Sequence, residues 1–177
     1  MSTATPEAAE AAKKPLSFSQ GVEAACILFA LNTDTTGVLR LAIAAGMPEE
    51  YLYGEGQRRM LEEWTAFIHA VVTSGLMRNA PNSVLVAYLR QTKALLQARG
   101  GMNEAEADAF IDGPFAAYME QIALEKQQEC PRLFFQRLMH KDLPDVPAAC
   151  AAAIAGTMAM ALAAVLDKLE QYDIAME

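Results

Sequence analysis

Bases and chemistry-bearing side chains are both scarce in this sequence. Its 177 residues hold one tryptophan, two histidines and three cysteines, with 14 bases against 22 acids. The cysteines, Cys26, Cys130 and Cys150, stand far apart, with no CxxC pair and no Cys/His cluster. An odd, widely spaced set argues against a disulfide framework. It points to reduced thiols in a cytoplasmic setting, with Cys26 and Cys150 acting as small hydrophobes in their apolar runs. At a net charge of −8 most of the surface repels a phosphate backbone. The basic groups Lys13-Lys14, Arg58-Arg59 and Arg132, Arg137, His140, Lys141 are short or have acids beside them. Nucleic acid is not an expected partner.

Catalytic and metal-binding motifs are missing as well. There is no HExxH, no Glu-x-x-His pair of the di-iron kind, no nucleophile elbow and no glycine-rich loop after a strand. Glu62 and His69 sit two helical turns apart, about 10.5 Å of rise, too far to share one metal directly. Arg58 and Glu62 have the i,i+4 spacing of a surface ion pair. Glu49-Glu50 and Glu62-Glu63 are adjacent in sequence, so each pair points to different sides of its helix. No catalytic residue, metal ligand or cofactor is assigned on these grounds. An enzyme would have to bring His69 or His140 to a carboxylate from a distant segment.

The stretch LRLAIAAGMPEEYL (39–52) places Ala42, Gly46 and Met47 at helix-turn-helix spacing. Its second helix would present Glu49, Glu50 and Glu55 to DNA and contain two glycines, which is the wrong chemistry for reading bases.

Strand signals are lacking: nothing alternates apolar with polar for long, and Asp112-Gly113 runs straight into Pro114. Helix signals recur instead. Ser17 with Gln20, and Asn103 with Glu106, have capping-box spacing. Thr33 or Asp34 caps a short helix to about Ala45, and Pro48 with two acids opens another turn. A longer helix is expected from about Gln57 to Leu76, with Leu61, Trp64, Ile68, Val71 and Val72 in one stripe. The next runs to about Arg99, with Leu85, Tyr88, Leu89 and Leu96 inward. A helix stopping at Gly113, another starting at Pro114, and one after Pro131 complete the middle of the chain.

Residues 148–166, AACAAAIAGTMAMALAAVL, carry no charge and are more than half alanine. Their length suits a membrane span, but their content does not: only Ile154, Leu162, Val165 and Leu166 favour lipid strongly, and Asp145 and Asp167 bracket the stretch. No membrane is expected. Ala149, Ala152, Ala153, Gly156, Ala159 and Ala163 form one smooth face, and Ile154, Met158, Leu162 and Leu166 form another. A helix of this kind, capped by Asp145 and running to about Tyr172, is expected to be buried at the centre of the fold.

The expected fold is therefore all-α, a compact bundle of about seven to eight helices around a central alanine-rich C-terminal helix. Residues 1–15 read as a flexible tail and 16–177 as one helical domain; the alanine content is bacterial in style. Ten methionines, several in apolar stripes, suit either irregular core filling or an adaptable binding surface. The function expected is that of a non-enzymatic helical interaction or adaptor protein, holding a protein partner or pairing with itself as a homodimer. The alternative is a small apolar ligand in an inter-helical cavity lined by Trp64, Tyr118 and Met158.

Overall fold

The computed structural model describes residues 12–177. It is an all-α assembly of α1 (Phe18–Asn32), α2 (Thr35–Ala44), α3 (Gly54–Asn79), α4 (Asn82–Gly100), α5 (Glu104–Phe110), α6 (Ala116–Ala123), α7 (Cys130–Met139) and α8 (Ala148–Glu170). Both capping boxes form, at Ser17/Gln20 and Asn103/Glu106, each side chain bonding the other residue's backbone N–H. Asp34 caps α2 by accepting from the Gly37 N–H at 2.9 Å. The second half of the helix-turn-helix candidate forms no α-helix of its own; Glu49–Tyr51 makes a single 3₁₀ turn and Gly54 already begins α3. That turn presses on the start of α3, where a side chain on Gly56 would run into the Glu50 carbonyl.

The central helix is α3, not α8. It packs against α1, α2, α4, α6, α7 and α8, and every residue from Ala66 to Leu76 is buried. Only four of residues 150–165 are buried on α8, namely Cys150, Ile154, Met158 and Val165. The expectation of a central C-terminal helix is corrected accordingly. Its physical reason lies in the alanines: they make a helix apolar by composition while giving it little area to bury. The first half of α3 carries Glu55, Arg58, Arg59, Glu62 and Glu63, which hides the uncharged run from Trp64 to Met77 in any average along the helix.

Three boundaries also differ from expectation. Residues 1–11 of the anticipated tail lie outside the described residues, but Lys14 and Pro15 are ordered in strand β1 (Lys14–Leu16). It pairs in parallel with β2 (Tyr172–Ile174), a ladder too short to leave a periodic signal. Helix α8 therefore ends at Glu170, and its N-cap is Pro147 with no side-chain hydrogen bond; Asp145 does not cap it.

The helix begun at Glu104 does not stop at Gly113. It continues through a π-helical turn, Ile111–Phe115, straight into α6. A proline inside an α-helix removes one backbone bond and crowds the carbonyl four residues back, here that of Phe110. The wider π turn accommodates Pro114. It also changes which residues share a face. In an α-helix, positions five apart diverge by about 140°. Here Phe110 and Phe115 both reach the His69 ring, at 6.4 and 4.4 Å between centroids.

Candidate functional site

Two polar clusters on α3 and the outer side of α8 stand out among the described residues. The first cluster begins at Glu63, one turn before Phe67 on the inward side of α3. Glu63 is 8% exposed. Arg137 of α7 donates Nε–H to both its carboxylate oxygens, at 3.1 and 3.0 Å. The Tyr118 hydroxyl of α6 donates to Oε2 at 2.9 Å. Burial, followed by the neighbouring Glu63 charge, pushes the Tyr118 phenol well above its ordinary range, so it acts as a fixed donor. The carboxylate is satisfied by groups from two other helices, and the arrangement ties α6 and α7 to α3. On the outer side of the same turn, burial raises the carboxyl of Glu62 despite the opposing effect of Arg58.

The second cluster surrounds His69, which is fully buried. Its Nδ1 lies 2.9 Å from the Tyr88 hydroxyl of α4, and its ring is enclosed by Phe29, Phe110 and Phe115. Nε2 has no hydrogen-bond partner among the described residues. Desolvation holds the imidazole down to about pKa 3, so the ring is neutral at ordinary pH. Its partner is a phenol rather than a carboxylate. His140 sits apart from it, exposed, closing α7 in a left-handed conformation.

The three residues singled out as a ligand pocket are all buried, and neither of two depressions in the fold is lined by all three. The Trp64 indole N–H donates to the Asn32 carbonyl at 2.8 Å, fastening the end of α1 to α3. Trp64 also lines a depression of ≈ 10 Å³ with Leu41, Met60, Phe134 and Ile154, room for about one water. Tyr118 lies further along the aromatic row Trp64–Phe67–Tyr118, engaged with Glu63. Met158 faces inward from α8 and borders neither that depression nor the larger one. The latter, ≈ 420 Å³ and open to solvent, lies over the start of α4 between Asn82, Arg90 and Glu177.

The outer side of α8 is an uncovered apolar surface. Ala149, Ala152, Ala153, Gly156, Ala159 and Ala163 are all exposed, and a side chain on Gly156 would meet nothing within 4 Å. Met160 stands among them at 69% exposure. The helix is long and apolar enough to cross a membrane by length and composition, with mean hydropathy 2.1 and 22% of its most apolar window buried. Beside it, Leu41 of α2 is 45% exposed and lines the small depression together with Thr157 of α8. Apolar surface thus continues from one helix to the next. The smooth face was readable from the sequence; that it faces outward was not.

Glu63 and Arg137 were not paired by sequence reasoning. Glu63 precedes Trp64 and the buried run, and Arg137 lies between Phe134 and Leu138, so each sits beside apolar stripes. Their 74-residue separation left no local signal of contact. Neither a protein-family model, nor a curated protein, nor a solved structure matches the chain.

Proposed function

We propose that this chain is a non-catalytic helical interaction protein that associates with a second copy of itself through the outward face of α8. The observation carrying this reading is the exposure of an uncharged, small-residue helix face on a chain of net charge −8. Acidic copies repel one another over most of their surface, and residues 148–166 offer ground without that repulsion. Small side chains let two helix axes approach toward the short end of the 8–10 Å range, where backbone and Cβ contacts are most numerous. Lipid is the poorer occupant. The exposed side chains are mainly alanine, no tryptophan lies on the helix, and the bases at its end, Lys14 and Lys168, stand among Asp167, Glu170 and Asp173. Three buried free thiols fit a cytoplasmic setting.

The test is sedimentation equilibrium of the full chain over a wide concentration range, beside Ala153→Glu. The native chain should approach twice its monomer mass, and the variant should stay monomeric with unchanged helical circular dichroism. A native chain that remains monomeric throughout, or that floats with phosphatidylcholine vesicles, would overturn the reading.

A further inference from the structure

The segment from Gly101 to Phe115 is held less firmly than the core it lies on. In α5 only Ala107 and Phe110 are buried; Glu104, Ala105, Glu106, Asp108 and Ala109 are exposed. Beyond the π turn, α5 packs chiefly against α4. The ion pair that joins these two helices, Lys93 Nζ to Asp108 Oδ1 at 2.6 Å, has side chains 37% and 57% exposed, so solvent screens it. By contrast, every residue of α3 from Ala66 to Leu76 is buried. A segment with so few buried side chains opens at a lower free energy than the core beneath it.

Both ends of the segment suit a hinge. Gly101 closes α4 with φ +66°, a conformation open to glycine, and a Cβ there would meet nothing within 4 Å. At the far end, Pro114 has no N–H to give, so the π turn lacks one backbone bond of a continuous helix. A Cβ on Gly113, in the same turn, would also meet nothing. Beyond the turn the chain is fixed again, where Tyr118 donates to Glu63. Between the two bends α5 keeps its own capping box, Asn103 with Glu106, a contact that movement of the whole segment leaves intact.

The segment covers one polar group. Phe110 and Phe115 lie over the His69 ring, at 6.4 and 4.4 Å between centroids, and Phe29 of α1 closes it from another helix. His69 Nδ1 is held by Tyr88, while Nε2 has no partner among the described residues.

We infer that α5 and the π turn form a lid over His69, which opens between Gly101 and Phe115 while the rest of the fold stays closed. Opening takes Phe110 and Phe115 off the ring together and gives the imidazole access to solvent. The lid is closed in most molecules, because Phe110 and Ala107 lose their burial when it lifts. Its movement needs no second copy of the chain.

Hydrogen–deuterium exchange of the full chain at neutral pH, read by peptide mass spectrometry, tests the lid together with diethyl pyrocarbonate, which acylates neutral imidazole. The chain has two histidines, and exposed His140 should react at once. His69 should react slowly, in step with exchange of the α5 amides, and both should run ahead of the amides from Ala66 to Leu76. Leu169→Ala, a core change on α8, should speed exchange of those α3 amides at least tenfold and leave α5 and His69 unaltered. Phe110→Ala should speed α5 exchange and His69 acylation at least tenfold. Acylation of His69 that keeps pace with α3 in both the native and Leu169→Ala chains would mean that the ring is reached only by unfolding of the whole. Rapid α5 exchange beside an unreactive His69 would mean that the helix frays without uncovering the ring. Either result overturns the lid, as would unaltered rates in Phe110→Ala.

Discussion

Gly75 of α3 lies directly beneath Leu169 of α8: a Cβ on Gly75 would stand 2.5 Å from Leu169 Cδ1 and 3.2 Å from Leu166 Cδ2. The close approach between these two helices is thus supplied by a glycine on the inner helix. The alanines and Gly156 of the outer one point the other way. Two helical glycines in facing elements therefore have opposite roles, one filled by its neighbour and one bare.

Substituting them should move stability in opposite directions. Leu169 is fully buried, so it has no free space to rotate into when Gly75 gains a branched side chain. Gly75→Val should lower the unfolding free energy by about 2–3 kcal/mol, the cost of an overpacked core. Gly156→Ala meets nothing and removes a flexible residue from a helix interior, which should add about 0.5–1 kcal/mol. Urea unfolding at a concentration where the chain is monomeric reads both. A neutral Gly75→Val would mean that α8 rides loosely on α3, against the packing described.

The Glu63 cluster should behave as one unit. Removing the carboxylate strands a buried phenol and frees Arg137 at once, so Glu63→Ala should cost about 2–3 kcal/mol. Tyr118→Phe leaves the Arg137 pair in place and should cost about 1–2 kcal/mol, the range for a hydrogen bond to a charged group. The double variant should lose less than the sum, because each single change removes the same Tyr118–Glu63 bond. Strict additivity in denaturant melts would show that the two groups do not interact in solution.

Local features of this fold are plain in the sequence, and global ones are not. Ser17/Gln20 and Asn103/Glu106 announce their helix starts because a capping box is a contact within four residues. The inner stripe of α8, Ile154 and Met158 with the half-buried Leu162 and Leu166, is equally plain. Periodicity shows that a helix has two faces, but which one its neighbours cover depends on residues far along the chain. That is why an alanine helix could be read as the centre while α3 held the position. Pro114 misled for a related reason. A proline ends most helices, and the tertiary need to place Phe110 and Phe115 on one ring instead made it part of a π turn. The Trp64–Tyr118–Met158 grouping was chosen on aromatic and sulfur chemistry, which carries no information about position; Trp64 and Tyr118 both lie against Phe67.

His69 should make the fold sensitive to mild acid. The unfolded chain takes up a proton on this residue near the ordinary histidine pKa of about 6.5, whereas the buried ring resists protonation until about pH 3. The folded-state pKa is depressed, so the unfolded state binds the proton first as pH falls. The contribution of the neutral ring is complete above about pH 6.5 and is lost below it, at up to about 1.4 kcal/mol per pH unit. The raised Glu62 carboxyl works in the opposite sense as the pH falls, so between about pH 6.5 and 5 the histidine contribution is read as the difference between the native chain and a variant without the imidazole. Denaturant melts in that window should show native stability falling as the pH is lowered. His69→Gln, with no group that titrates there, should give a flatter profile from a lower starting value. Parallel slopes for the two proteins would mean that the ring is protonated in the folded state, and that its phenylalanine enclosure opens to water.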